Sequence, residues 1–220
     1  KLSCEIRELP DTEKMADCVF NIMAVKDGDS LQTGMYKTIN SGTEGTYLYA
    51  LSYDDSSFRE YAASLGLNPD DYMDPSHPKA IVINHSVMYD YNTKKKLIGD
   101  LLTLSEGEKL NTILCTEENT AGFKSTDPVT PITIGKITES MPLGSDYYSS
   151  PYTRVIFPES VMQSIALSYM PDLSKYPKPT TYIVASDDKR LEGEIRDMTK
   201  TLPDNQYYLY NLTSQHEQSE

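Results

Sequence analysis

The stretch FREYAASLGLNPDDYMDPSHPKAIVIN, residues 58–84, decides the fold of this chain. Its first half predicts an amphipathic helix that ends at Gly66, a residue suited to the left-handed position after a helix. The apolar residues on one face of this helix are Phe58, Tyr61, Ala62 and Leu65. A polar turn region rich in proline follows, and residues 80–84 predict a short buried strand. The stretch therefore indicates a fold that mixes helices and strands, and it contains no catalytic signature.

The rest of the chain shows the same mixture. Residues 2–9 predict a strand, and a helix is expected to start at Pro10. The apolar face of that helix would hold Met15, Cys18, Val19 and Ile22. Residues 27–45 predict a hairpin or loop with a short strand near residues 35–39. Further strands are predicted at residues 46–53, 97–104, 110–116, 129–138, 152–157, 180–185 and 206–212. Further helices are predicted after Pro158 and Ser186, and a Ser57–Glu60 capping box would start the helix of the opening stretch.

The two ends of the chain are alike, because each predicts a strand, an amphipathic helix and another strand. This pattern indicates a ferredoxin-like pairing of two such units, interrupted by a β-rich insertion. The predicted fold class is therefore α+β, with two lobes inside a single domain of 220 residues. Residues 1–79 and 151–220 would form an α/β lobe, and residues 80–150 would form a β-rich lobe.

The amino-acid composition limits which partners and which locations are expected for the chain. The net charge of −13 argues against nucleic acid as a partner, and against the chain lying on an anionic leaflet. It favours cationic partners, or it serves solubility alone. No run of 18 apolar residues is present, so no segment is expected to span a membrane, and no signal peptide is recognised. The abrupt start KLSCEI and the polar end QHEQSE predict a piece of a longer protein, although a trimmed soluble protein would look the same.

Cysteine and serine chemistry gives no candidate nucleophile. Cys4, Cys18 and Cys115 have no CxxC spacing, and the pattern favours buried, unreactive thiols while leaving one disulfide open. A G-x-S-x-G elbow and a glycine-rich phosphate loop are both absent from the sequence. We therefore expect no catalytic residue, no cofactor and no enzymatic activity.

Metal binding is not expected either. His77, His85 and His216 lack the spacing of metal ligands. Asp70 and Asp71, with Asp74 close by, lie between prolines and lack the calcium-loop pattern, so a solvated acidic turn is favoured over a Ca²⁺ site.

One stretch predicts a contact surface for a partner. It combines tyrosine with apolar residues in loops, as interfaces do. Its residues are Met141, Leu143, Tyr147, Tyr148 and Tyr152. The alternative is that these side chains only cover the β-rich lobe.

Four segments of the chain, taken in order, resemble a known family. They are residues 61–84, the turn EGEKL at 106–110, ITIGKITESMPLG at 132–144, and VIFP at 155–158 with the helix and the strand–helix–strand that follow. Their order and spacing are similar to those of the extracellular domain of permease subunits in FtsX/MacB-type ABC transporters, particularly those of Gram-positive anaerobes. The resemblance covers the chain beyond residue 46, and the first quarter matches only in its pattern of elements.

The resemblance implies a MacB-periplasmic-core-like fold and a location on the extracellular side of the cell membrane, between two membrane helices. It implies a cytoplasmic ATPase subunit as partner and a dimer in the full transporter. It implies that ATP hydrolysis is coupled to binding, export or extraction of a substrate, or to control of an outside partner. Peptides, lipoproteins and cell-wall components are candidates, and some family members confer resistance to antimicrobial peptides. The alternatives are a secreted small hydrolase with an unrecognised site, or an extracellular sensory or adhesive module.

Overall fold

The computed structural model describes residues 2–90, 93–117, 119, 126–145, 151–202 and 208–211, which form an α+β fold as predicted. The helices are α1 (Leu2–Arg7), α2 (Gly34–Ile39), α3 (Asp55–Ser64), α4 (Glu159–Leu167) and α5 (Asp188–Thr199). The strands are β1 (Thr12–Val25), β2 (Thr46–Tyr53), β3 (Lys79–Ile83), β4 (His85–Asp90), β5 (Lys95–Asp100), β6 (Lys109–Leu114), β7 (Thr130–Ile137), β8 (Thr153–Pro158) and β9 (Thr180–Ala185). No helix in the described part of the chain is long and apolar enough to cross a membrane.

The chain divides into two compact units. The larger is Asp17–Thr180, and the smaller joins the residues up to Ala16 with those from Thr181 onward. In the larger unit, strand pairing runs round a closed circle, β1-β2-β8-β3-β7-β6 and back to β1. Closure into a barrel leaves these strands without an open edge. β1 closes the circle because it pairs antiparallel with both β2 and β6.

The core of the larger unit fills the barrel. Its fully buried strand residues include Met23, Leu48, Ala50, Val82, Ile132, Ile134, Val155 and Phe157. α4 follows β8 directly and adds Val161, Met162, Ile165 and Ala166 to this core, so it closes the end where β2 and β8 finish. At the other end, the hydroxyl of buried Tyr36 accepts a hydrogen bond from Tyr47 N, near the start of β2.

α3 covers part of the outer wall of the barrel. It packs against β2 and β8, and Asp54 caps its first turn by accepting from Ser57 N. Leu51 and Ile156 alternate with interior residues, so they point outward, and both are nevertheless buried. Gly66 follows the helix with a φ of +73°, which confirms the predicted helix end.

The smaller unit is built from both ends of the chain. It contains α1, the first residues of β1, β9 and α5. Ile6 and Met15 from the beginning share a core with Leu191 and Ile195 of α5. β9 lies beside β1, and Ser186 N donates to Asp11 O.

The first quarter of the chain differs from prediction. Residues 2–9 are mainly the helix α1 rather than a strand, and the helix expected from Pro10 is instead the 14-residue strand β1. Apolar residues follow one another so closely from Met15 to Val25 that they fit a helical period and a two-residue period alike. The strand is preferred because it pairs on both sides and buries residues on both faces. Residues 34–39 form α2, not the short strand expected there.

Other predicted elements lie close to the observed ones, and two points differ. The polar stretch before residue 97 contains β4, which pairs with β5 as a hairpin. The last strand, predicted at residues 206–212, is absent from residues 208–211, and its other residues lie outside the described ranges. Each chain end therefore contributes one described helix and one described strand to the smaller unit, rather than a strand, a helix and a strand.

The boundaries of the two units also differ from the predicted lobes. β3 pairs with β8 in the barrel, across the boundary expected at residue 150. β6 and β7 join the same barrel, so residues 80–150 do not form a sheet of their own. The physical reason is that these strands bury their inner faces only by closing a circle with β1, β2 and β8.

Candidate functional site

Tyr152 belongs to a row of aromatic rings on the outside of the barrel. Its ring centroid lies 4.8 Å from that of Tyr49, which lies 4.8 Å from that of Phe20 in an edge-to-face arrangement. We call Phe20, Tyr49 and Tyr152 the aromatic surface. β2 places Tyr49 there because Leu48 and Ala50 on either side are fully buried in the barrel core. Phe20 is 43% exposed, so part of the surface is open to solvent.

The residues around the aromatic surface hold it in place. Tyr36 lies with its ring 6.2 Å from that of Tyr152, and its hydroxyl donates to Gly45 O at 3.4 Å. Asn40 Nδ2 donates to Pro151 O at 2.8 Å, which anchors the chain just before Tyr152. Rings fixed in this way lose little entropy when they bind a partner, as aromatic anchors of interfaces require.

A buried arginine lies beside these rings. Arg154 is 5% exposed and stands opposite Tyr49 in the register of β2 and β8. Burial raises the pKa of the Tyr49 hydroxyl, the nearby Tyr152 adds to this rise, and the charge of Arg154 opposes it. The Tyr49 hydroxyl therefore stays protonated at neutral pH and offers a hydrogen-bond donor rather than a charge.

Of the described members of the predicted contact set, Met141 and Leu143 do not lie beside Tyr152. Tyr53 at the end of β2 donates its hydroxyl proton to Leu143 O at 2.8 Å, and Met141 is exposed nearby in sequence. Tyr152 precedes Thr153, which pairs with Leu48 near the start of β2. Met141 and Leu143 therefore lie towards the opposite end of β2 from Tyr152. Tyr147 and Tyr148 lie outside the described residues.

Sequence reasoning missed two members of the aromatic surface. The sequence places Phe20 in the helix expected from Pro10, so it does not predict the outward position that this residue has on β1. Tyr49 lies in a correctly predicted strand, and the alternation of TYLYALSY already separates Tyr47 and Tyr49 from the inward Leu48. That alternation is the signal that could have found the surface.

A cluster of polar side chains lies at the beginning of α4. The Glu159 carboxylate accepts a hydrogen bond from Ser52 Oγ and another from Gln163 Nε2 at 3.0 Å. The hydroxyl of Tyr176 lies 3.5 Å from the same carboxylate. Burial raises the pKa of Glu159, and these hydrogen bonds oppose the rise. Ser52 is almost fully buried, so its hydroxyl is not open to a substrate, and the cluster serves as a junction between β2, α4 and the segment at Tyr176.

The cysteines offer no activated thiol. All three are free, and burial raises the pKa of Cys18 to about 12 and that of Cys115 to about 11. Thiols with such pKa values are poor nucleophiles at neutral pH. Cys4 is exposed on α1, so the expectation that this thiol is buried is wrong.

The histidines and the acidic turn are engaged in local hydrogen bonds. His77 Nδ1 lies 2.9 Å from Asp74, His85 Nδ1 lies 3.3 Å from Asp100, and Arg59 binds Asp70 at 2.7 Å. Within the described ranges no three or more His, Cys, Asp or Glu residues are grouped so as to hold a metal ion. His216 lies outside those ranges.

The chain has a structural similarity to a solved protein but no match at the level of sequence. No family model matches the chain, and no curated protein matches its sequence. Among solved structures, the chain is similar to the periplasmic region of MacB from Actinobacillus actinomycetemcomitans, with 10% sequence identity and a TM-score of 0.46. That alignment covers 99% of this chain and 80% of the MacB chain.

Proposed function

We propose that the chain is a non-catalytic extracytoplasmic domain of an ABC transporter permease of the FtsX/MacB type. The observation that carries this proposal is the smaller unit, in which residues from both ends of the chain share one core. A domain inserted between two membrane helices needs both of its connections in the same unit. The order of the four sequence motifs supports the same assignment.

In this role the domain would not hydrolyse ATP. A cytoplasmic ATPase subunit would do so, and the permease would act as a dimer. The domain would transmit the resulting motion to a substrate or partner outside the membrane. A peptide, a lipoprotein or a cell-wall component is the class of partner we propose, and resistance to antimicrobial peptides is one outcome such a transporter would give.

The aromatic surface is our proposed contact for that partner. It combines an exposed apolar ring, Phe20, with two tyrosines held by their neighbours. Aromatic side chains of this kind are enriched at protein interfaces. A photo-crosslinking amino acid introduced in place of Phe20 should therefore capture an extracytoplasmic peptide, lipoprotein or cell-wall component in intact cells. The same residue at Leu167, exposed on α4, serves as the matched control.

The alternative is a secreted hydrolase, although the buried Ser52 offers it no accessible nucleophile. The experiment that separates the two is purification of the full gene product from membranes. The proposal expects co-purification of an ATPase subunit and ATPase activity that depends on that subunit. A full gene product that is secreted without a membrane anchor, and that hydrolyses a substrate, would support the hydrolase instead.

A further inference from the structure

The β4–β5 hairpin carries a row of exposed side chains on one face. Three cross-strand pairs make up this face, because side chains alternate between the two faces of each strand. The pairs are Val87–Ile98 in the middle, Tyr89–Lys96 nearer the turn and His85–Asp100 at the base. We call these six residues the hairpin face. Val87, Tyr89 and Ile98 are 48%, 49% and 61% exposed, in that order. Apolar side chains grouped at this exposure indicate a contact surface rather than scattered surface residues.

Contacts on the opposite face and at both ends keep the hairpin in one shape. β5 packs against α2, and Met35 Sδ lies 3.7 Å from the position of a Cβ at Gly99. At the base, Thr33 Oγ1 donates to Asp100 O at 2.7 Å. At the turn, Asp90 accepts from Thr93 Oγ1 at 2.6 Å. A partner therefore meets a hairpin face that is already ordered, so binding costs little conformational entropy.

The charges of the hairpin face lie at its two ends. Lys96 is next to the turn, Asp100 is at the base, and both are exposed. Ile98 lies between them, about 7 Å from each along the strand. His85 Nδ1 lies 3.3 Å from Asp100 Oδ1 but leaves that side chain 63% exposed. Lys95 does not add to this face, because it stands opposite Asp90 on the other one. The hairpin face therefore has an apolar middle, one positive end and one negative end.

We propose that the hairpin face docks onto the same face of a second copy of this chain. A two-fold axis that crosses the strands at Val87 and Ile98 reverses the strand direction of the second copy. Lys96 of each copy then faces Asp100 of the other, and the apolar residues on the axis face their own counterparts. An axis parallel to the strands would place lysine against lysine and aspartate against aspartate. The charges therefore select the first arrangement.

A second copy suits the hairpin face better than lipid or an unrelated protein. An anionic leaflet would attract Lys96 but repel Asp100, and an apolar layer would leave both charges unpaired. An unrelated protein would need the opposite order of charges, whereas a second copy supplies that order by symmetry.

The contact is small, and in one respect it rests on the proposed function. Six residues a copy is few against the roughly 20–30 a side of a stable interface, so the dimer of the free chain is weak. The permease dimer that we propose would hold two copies close together, and the raised effective concentration would favour the contact.

Crosslinking between single cysteines tests whether two hairpin faces meet. Facing sheets pack about 10 Å apart, so a bis-maleimide with a short spacer bridges two cysteines that lie on the axis. Ile98→Cys is made together with Cys4→Ser, which removes the exposed natural thiol. We expect this protein to give a covalent dimer at high concentration. Lys95→Cys, exposed on the opposite face, is the matched control and should give no more dimer than Cys4→Ser alone.

Charge reversal then identifies the partner as a second copy. In the Ile98→Cys protein, Lys96→Glu places acid against acid across the axis, and Asp100→Lys places lysine against lysine. Each variant alone should associate with itself roughly tenfold more weakly, because two exposed ion pairs become two repulsions. A mixture of the two variants restores both attractive pairs, so it should crosslink well above either variant alone.

Two results would overturn the proposal. One is an Ile98→Cys protein that crosslinks no more than the Lys95→Cys control, and the other is a mixture that crosslinks no more than its separate components. A fluorophore attached at position 98 that responds to phosphatidylcholine vesicles, with no dimer formed, would assign the face to lipid instead. Because the test uses the 220-residue chain alone, failure of this contact leaves the permease assignment to the experiment on the ATPase subunit.

Discussion

The half-buried carboxyl group of Glu159 makes the stability of the folded protein depend on pH. Its carboxylate lies under α4 with hydrogen bonds from Ser52 and Gln163. Burial raises its pKa in the folded state above the value in the unfolded chain. The proton is therefore bound more tightly by the folded protein, so the stabilisation is fully present below the unfolded pKa and is lost as pH rises through the folded pKa.

We predict that Glu159→Gln is more stabilising, or less destabilising, at pH 7 than at pH 4.5. The amide cannot ionise, so the variant avoids the cost of a buried charge that wild type meets as pH rises. Urea unfolding of both proteins between these pH values measures the difference. A difference that is flat over this range would show that Glu159 is not perturbed.

Glu192→Gln is the control, and its effect on stability should depend on pH in the opposite direction. Hydrogen bonds from Arg196 and Asn211 lower the pKa of Glu192, and its carboxylate lies 2.8 Å from Arg196 Nη2. Its stabilisation is present above the unfolded pKa and is lost as pH falls through the folded pKa. Glu192→Gln should therefore lose stability at pH 7 and approach wild type in acid.

Gly135 in β7 provides a second prediction at the level of one residue. A Cβ there would lie 2.6 Å from Tyr72 Cε1 and 2.8 Å from Lys79 Cγ. We predict that Gly135→Ala costs roughly 1–3 kcal/mol, because the Tyr72 ring must move. Gly193→Ala on α5 meets nothing within 4 Å and should gain roughly 0.5–1 kcal/mol from helix propensity. Denaturant midpoints would measure both, and equal effects would contradict the close approach at Gly135.

Among the elements, α5 contributes Leu191 and Ile195 to the core of the smaller unit. Ile195 is 4% exposed and packs with Ile6 and Met15 from the beginning of the chain. We predict that Ile195→Ala costs about 2–5 kcal/mol through the cavity it leaves. Lys200 is exposed and pairs with Asp197, so Lys200→Ala should stay within about 0.5 kcal/mol of wild type. Thermal melts in which the two variants were equally mild would remove α5 from the core.

The elements also show what a sequence can predict. β2 and β8 lie where they were expected, because short apolar segments between turn residues favour strands. The helix predicted after Ser186 is α5, and its apolar residues Leu191 and Ile195 recur at helical spacing in a sequence that is otherwise polar. β1 was assigned wrongly because its apolar residues are nearly continuous. Only its partners β2 and β6, which are distant in the chain, decide between a strand and a helix.

The candidate site was predictable only in part. The sequence identifies Tyr152 as a contact residue because it lies close to other tyrosines. Its neighbours Phe20 and Tyr49 are brought beside it by the pairing of β1, β2 and β8. Register between β1, β2 and β8 depends on barrel closure, which no local pattern contains. For the same reason Met141 and Leu143, close to Tyr152 in sequence, lie elsewhere.

At the scale of the whole molecule, each unit suits a different part of the proposed role. The smaller unit joins both chain ends in one core, as an inserted domain requires. The larger unit is a closed barrel that carries the aromatic surface and the β4–β5 hairpin.

The most direct test of an extracytoplasmic domain is thiol labelling of the full gene product in intact cells. Cys4 is exposed and free, whereas Cys18 is buried, Cys115 is half-buried, and burial raises the pKa of both of these thiols. We predict that a maleimide unable to cross membranes labels Cys4 in intact cells, and that Cys4→Ser removes the label from the peptide that contains residue 4. If labelling at Cys4 appeared only after the cells were opened, the domain would face the cytoplasm and the account would be contradicted.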